Sequence, residues 1–258
     1  MLALHIAASG MMAQEQRTEV VANNIANLDT TGFQRRRVGF NDLIYRHLGR
    51  RDSTSSQAGD KVPAGVNVGL GVKTASVYRV QEQGALQATD NSFDLAIQGD
   101  GFFQVQLPNG DTAYTRDGTF QLNEQGQVVT SDGFIVQPGI SVSASAREVT
   151  INAGGEVLVT LDGQNAPSNV GTVQVATFLN PGGLQAEGDN LFLATTKSGA
   201  ASATNPGQDG AGLVLQGFVE KSNVNAVQEI ANLIKAQRAY DMNSKMISTV
   251  DQMMTIRG

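Results

Sequence analysis

The residues that break helices are confined to the middle of this chain. All six prolines lie between Pro63 and Pro206. Gly10 is the one glycine before residue 32, and there is none between 218 and 257. Inside a helix, proline costs about 3 kcal/mol and glycine about 1 kcal/mol relative to alanine. The two ends can therefore carry long helices and the centre cannot. This predicts an α+β fold of helix–β–helix layout. Terminal helices, residues 1–32 plus 219–258, pair as a coiled-coil-like domain. An extended, hairpin-like intermediate segment follows over 33–83, and an antiparallel β-rich domain over 84–218.

The N-terminal helix is expected over 2–28. Leu4, Ala7, Met11, Val21, Ile25 and Leu28 mark its apolar stripe, with Gln14 and Thr18 interrupting. Asp29-Thr30-Thr31-Gly32 supplies the stop signal. The C-terminal helix is expected over 224–256, capped by Ser222 or Asn223. Its stripe is Ile230, Leu233, Ile234, Tyr240, Ile247, Val250 and Met254, broken by Gln237 and Ser244. At 1.5 Å per residue such a helix is roughly 50 Å long, so its face needs a partner of similar length. The two helices could zip together within one chain, or pack against copies from other subunits; stripes this weak suit packing on several sides. Asn23, Asn24 and Asn27 crowd the end of the first helix, although asparagine is a mediocre helix former. An amide both donates and accepts, so these residues suit bonds to neighbouring helices; fraying at the helix end is the plainer reading.

The centre reads as short antiparallel strands. Asn109-Gly110, Asp117-Gly118, Gln125-Gly126 and Asp132-Gly133 recur every seven or eight residues and predict type I′ hairpins. Strands are expected at 102–107, 119–122, 127–130, 148–151, 156–161 and 173–179, with a polar loop over 195–209. In the intermediate segment, 66–80 is β-like. Six of the 18 basic residues lie between 35 and 51, and all six are arginine.

Chemistry-bearing motifs are absent from the sequence. It holds no Cys and only two His, at positions 5 and 47, which leaves no disulfide, thiolate site or His-rich metal centre. There is no G-x-S-x-G, H-E-x-x-H or P-loop. Gly99-Asp100-Gly101 lacks the third glycine of a nucleotide loop and reads as a turn. Asp90, Asp94 and Asp100 fit no Ca²⁺-loop spacing and read as turn residues. Net charge is −6, so Arg35-Arg36-Arg37 reads as a solvated strand or a protein interface rather than a nucleic-acid site. No apolar run reaches the roughly 18 residues of a membrane span. No Lys or Arg precedes the apolar stretch 1–13, so a cleaved Sec leader is not expected. The expectation is a non-enzyme without cofactor or metal.

Several segments together carry a resemblance. Ala22-Asn23-Asn24-Ile25-Ala26-Asn27 with Thr30-Thr31-Gly32-Phe33 resembles the N-terminal signature of bacterial flagellar rod and hook axial proteins. Ser222-Asn223-Val224-Asn225, Glu229-Ile230, Leu233-Ile234, Gln237-Arg238-Ala239-Tyr240 and Asn243-Ser244-Lys245 resemble its C-terminal signature. Ile97-Gln98-Gly99-Asp100-Gly101-Phe102-Phe103 and Tyr114-Thr115-Arg116-Asp117-Gly118 are similar to its shared β-domain. Length and the insert over 45–71 resemble the distal-rod members. Proximal rod proteins generally lack that insert, and hook proteins usually carry a further outer domain.

The resemblance implies a structural subunit that polymerises helically into a hollow shaft transmitting torque from motor to hook. The terminal helices would form the inner tube and the β-domain the outer layer. Implied partners are further copies of itself, proximal rod proteins, the hook or hook–rod junction, the L- and P-ring proteins and the flagellar type III export apparatus. Neither nucleic acid nor membrane insertion is implied. The location implied is the periplasm-spanning rod of the basal body, reached without a cleaved Sec signal. Implied assembly residues are Leu4, Met11, Val21, Asn23, Asn24, Ile25, Asn27 and Leu28 on the first helix. On the second they are Ile230, Leu233, Ile234, Gln237, Tyr240, Asn243, Ile247 and Val250. Arg46, Arg50, Arg51 and Asp60 mark the rod-specific insert.

Three readings compete: a proximal rod or short hook protein, a secreted β-rich polysaccharide hydrolase, and a secreted β-rich binding module. The hydrolase requires a pair of carboxylates in a cleft, and the binding module requires stable monomers or trimers. Terminal helices without enough partners do not repay the entropy of ordering. Limited proteolysis of the isolated chain is therefore expected to remove both ends quickly and leave a resistant fragment spanning about 93–217. Resistant ends would instead mean that the helices form a self-sufficient pair in one chain.

Overall fold

The computed structural model describes residues 2–47, 67–143, 145–162 and 166–257. These form two compact units: the described residues of 2–26, 36–78 and 225–257 make the first, and those of 27–35 with 79–224 the second.

The first unit holds helix α1 (Leu2–Ala26) and helix α2 (Ala226–Arg257). At 1.5 Å per residue they are about 37 Å and about 48 Å long. α2 starts two residues later than expected, because its cap is neither Ser222 nor Asn223. Asn225 Oδ1 accepts the Gln228 N–H at 3.1 Å, the bond that defines a helix N-cap. The Ser222 hydroxyl takes the Val224 N–H instead, at 3.3 Å. The remaining elements of this unit are strands β1 (Arg36–Asp42), β2 (Tyr45–His47), β3 (Asn67–Gly69) and β4 (Val72–Arg79). β1 pairs with β4, and β2 pairs antiparallel with β3.

Among the described residues, the regular structure of the second unit is β-strand apart from a 3₁₀ turn at Pro181–Gly183. Phe102–Gln106 is central to its main sheet and pairs with Thr112–Thr115, Ile135–Val136 and Val175–Thr177. Successive residues of a strand face opposite sides, so Phe103 and Phe102 enter different cores. Phe103 packs with Leu95, Ile97, Phe120, Val157 and Val175, all buried. Phe102 joins Tyr114, Leu184 and Phe192, with edge-on rings; the Tyr114 and Phe178 centroids are 4.7 Å apart. The expected polar loop over 195–209 contains a strand, Ser202–Thr204, paired to Val175–Thr177. Its side chains are mostly exposed, so the apolar alternation that advertises a strand is missing.

The hairpins are tight but not type I′. That turn needs positive φ at both central residues, and at Asn109-Gly110, Gln125-Gly126 and Asp132-Gly133 only the glycines have it, at 90°, 75° and 86°. One five-residue pattern recurs four times. Gly110, Gly126, Gly133 and Gly155 each donate to the carbonyl three residues back, which belongs to Leu107, Asn123, Thr130 and Asn152. The N–H of that same residue bonds the carbonyl just after the glycine. This is a three-residue loop with a left-handed glycine in its last place. Gly118 plays another part: a Cβ there would lie 1.6 Å from the Leu95 carbonyl oxygen, so only glycine fits.

Long-range bonds close this unit. Gly32 N–H donates to the Glu220 carbonyl at 2.8 Å. The Asn223 amide accepts from Arg35 N–H at 2.7 Å and donates to the Val80 and Glu82 carbonyls at 3.1 and 2.8 Å. Arg35 itself pairs with Glu82 at 2.8 Å. Beside these lies a buried ion pair, Arg116 Nη1 to Glu220 Oε2 at 3.5 Å. Glu220 Oε1 accepts the Gly84 N–H at 3.0 Å, and Arg116 Nη2 donates to the Gly99 carbonyl at 2.8 Å. Burial pushes the Glu220 carboxyl above the ordinary carboxylate range, against the pull of Arg116 and the Gly84 N–H. Burial likewise lowers the Arg116 guanidinium, opposed by Glu220 and Asp100.

Arg116→Met leaves a buried carboxylate without its cation, which costs about 3–5 kcal/mol. It also raises the Glu220 pKa further. A carboxyl with a raised folded pKa contributes stability while protonated and loses it as pH climbs through that pKa. The deficit against wild type, read from urea denaturation, is therefore expected to be larger at about pH 8 than at about pH 5. A deficit independent of pH would mean that Glu220 does not depend on Arg116.

Candidate assembly surface

α1 and α2 run antiparallel within the first unit. Asn24 meets Glu229, and fourteen residues away on each helix Gly10 meets Asn243. A Cβ on Gly10 would lie 2.7 Å from Asn243 Nδ2, so glycine permits this approach. The seam is built from small and polar groups. Ala7, Ala13, Val21 and Asn24 are the buried residues of α1, and Ala236 is fully buried on α2. Glu229, Ala236, Asn243 and Val250 recur every seven residues along the α2 side of it.

Asn24 ties three elements together. Its Oδ1 accepts the Arg36 N–H at 2.8 Å, and its Nδ2 donates to the Arg36 carbonyl at 2.9 Å and to Glu229 Oε2 at 3.2 Å. Asn232 Nδ2 bonds the other Glu229 oxygen at 3.3 Å. One side chain thus joins the end of α1, the start of β1 and the first turn of α2. Sequence reasoning placed Asn24 among the assembly residues but quoted Glu229 only within the C-terminal signature; an acid in the first turn of a helix, where the dipole favours it, was the available signal. At the other end of the unit, the Ser9 hydroxyl donates to the Ile6 carbonyl at 2.8 Å and accepts from Val72 N–H at 3.3 Å.

The sequence-derived residues divide by location. Val21 and Asn24 are buried in the seam, and Leu4, Met11 and Ile25 are half-buried. Asn23 is exposed. Asn27 and Leu28 follow α1 in a turn of the second unit. On α2, Leu233, Asn243, Ile247 and Val250 are half-buried, whereas Gln237 and Tyr240 are exposed. Ile230 and Ile234 are 50% and 46% exposed. Arg46 is exposed in β2 opposite Val68. Arg50, Arg51 and Asp60 lie outside the described residues.

The geometry of α2 explains this division. At about 100° per residue, Ile230 and Ile234 sit some 120–160° round the helix from Ala236. Met242, Met246 and Met253 sit about 80–120° round in the other sense. α2 therefore presents apolar side chains in three directions, of which α1 covers one. Helices that are apolar on several sides are normally buried on several sides. Among the described residues no group of three or more His, Cys, Asp or Glu is placed to hold a metal ion. No helix among the described residues is long and apolar enough to cross a membrane.

Comparison with known proteins bears on the same segments. Three family models match the chain. The model described as flagella basal body rod protein covers residues 4–34, flagellar hook protein FlgE/F/G D1 domain covers 96–159, and flagellar basal body rod FlgEFG protein C-terminal covers 215–256. The chain is 56% identical to the flagellar basal-body rod protein FlgG of Caulobacter vibrioides, over 98% of this chain and 97% of that protein. It is 45% identical to the protein of the same name from Buchnera aphidicola subsp. Baizongia pistaciae, over 98% and 96%. The corresponding protein of Buchnera aphidicola subsp. Schizaphis graminum is 44% identical over 97% and 96%.

Proposed function

The chain belongs to the flagellar rod and hook protein family, and from that premise we propose that it is a structural, non-catalytic subunit of the distal rod. Copies assemble helically into a hollow drive shaft that carries torque from motor to hook. The observation that carries this reading is the three-sided apolar surface of α2. One side takes α1, and copies of the same helices in neighbouring subunits take the other two. In this arrangement α1 and α2 pair in coiled-coil fashion and line the inner tube, and the β-structured unit forms the outer layer. The interface residues on α2 are Ile230, Ile234, Gln237 and Tyr240, which its own chain leaves exposed. Leu233, Asn243, Ile247 and Val250 serve both the seam and the neighbour. Proximal rod proteins, the hook or hook–rod junction, the surrounding rings and the type III export apparatus are the remaining partners, met along a periplasm-spanning rod.

Ile230→Asp tests this without disturbing the subunit's own fold, because the side chain is half exposed there. Losing one buried isoleucine per contact removes about 2 kcal/mol, roughly 30-fold in each contact's equilibrium constant. In a strain lacking the wild-type gene, the variant is expected to yield soluble subunits with an unchanged β-unit melting temperature, but no completed rods and no swimming. Ile234→Asp should behave alike. Normal rods and wild-type swimming with either variant would remove this face from the assembly.

A further inference from the structure

The sulfur atoms of this chain are distributed unevenly. There is no cysteine, and all seven methionines lie either at 1–12 or at 242–254. The second unit has none; its core uses Val, Ile, Leu and Phe. Met254 is 42% exposed, and four of the described methionines are more open still: Met12 at 68%, Met242 at 64%, Met246 at 56% and Met253 at 57%. On α2 the last three recur at i, i+4 and i+11 and so line one side of the helix. A thioether is soft, polarisable and accessible to two-electron oxidants.

We propose that the exposed methionines of the assembly helices, Met242, Met246 and Met253 along one side of α2 and Met12 on the face of α1 turned away from the seam, are oxidation-sensitive sites at which conversion to sulfoxide prevents a subunit from joining its neighbours. The inference rests on the self-association reading above. With a hydroperoxide as oxidant, the thioether sulfur attacks the peroxide, the O–O bond breaks, an S–O bond forms and water or alcohol leaves. The sulfur loses the two electrons that the peroxide gains. The product is a polar, chiral group on a surface that must become dry against a second copy. The β-structured unit has no atom of comparable reactivity, so the lesion separates assembly from folding. Methionine sulfoxide reductases reverse it with a thiol reductant.

The test uses the full chain treated with hydrogen peroxide. Peptide masses are expected to show one added oxygen at each of the four sites. The melting temperature of the β-unit should stay unchanged while polymer, read by sedimentation and electron microscopy, falls to background. Treatment with both sulfoxide reductases should restore it. A variant with all four residues changed to Leu, which conserves volume, should polymerise before and after peroxide. Oxidised wild-type chain that polymerises normally, or a Leu variant that loses polymer equally after peroxide, would overturn the proposal. If the Leu variant fails before treatment, the repair arm decides: recovery supports the proposal and no recovery overturns it. Untreated wild-type chain that never polymerises would overturn the self-association reading, and this inference with it.

Discussion

The helical unit is organised by the requirement that Asn24 satisfy three partners from one buried position. Its amide completes both backbone groups of Arg36 and one oxygen of Glu229. A buried amide left short of partners is costly, so the end of α1, the start of β1 and the first turn of α2 have to arrive in one relative position. Given that position, antiparallel running of the helices brings Gly10 beside Asn243. The closest approach, where Gly10 meets Asn243, then has room only for a glycine. The large apolar residues of α2 are turned outward as a consequence of this close fit, not as a separate design.

The β-structured unit uses an analogous device. Asn223 bonds the backbone at three residues of two segments, Arg35 and 80–82, and the buried Arg116–Glu220 pair sits beside them. A buried ion pair is a weak source of net stability, since desolvation offsets most of its attraction. Its effect is selective: any arrangement that separates the two charges leaves each one stranded. Both devices therefore constrain which residues meet more than they add to the free energy of folding.

Much of this was legible in the sequence, and the failures have physical causes. The helices were readable because glycine and proline are excluded from them, and the strands at 102–107 and 156–161 because they alternate between turn signals. The start of α2 was misplaced because Ser222, Asn223 and Asn225 are all competent caps, and only tertiary bonding of Asn223 assigns the role to Asn225. The turns were mistyped because a dipeptide such as Asn109-Gly110 does not reveal whether the preceding residue, Pro108, belongs to the loop. The strand at Ser202–Thr204 was missed because an exposed strand carries no apolar period. On the proposed assembly surface, large apolar residues singled out the two terminal helices. The close-packed seam relies on Ala7, Gly10, Ala13 and Ala236 together with the polar Asn24, Glu229 and Asn243, which hydropathy does not distinguish from background.

The four short hairpins have a kinetic consequence. Each joins strands that are near neighbours in sequence, so pairing can begin without closing a long loop, and low contact order favours fast folding. The bonds from Gly32 and Arg35 to Glu220 and Asn223 span nearly the whole unit. Their closure carries the largest entropic cost and belongs late in folding. The hairpins can therefore be in place while both ends of the unit are still free, and the unit closes only when Gly32 and Arg35 reach Glu220 and Asn223.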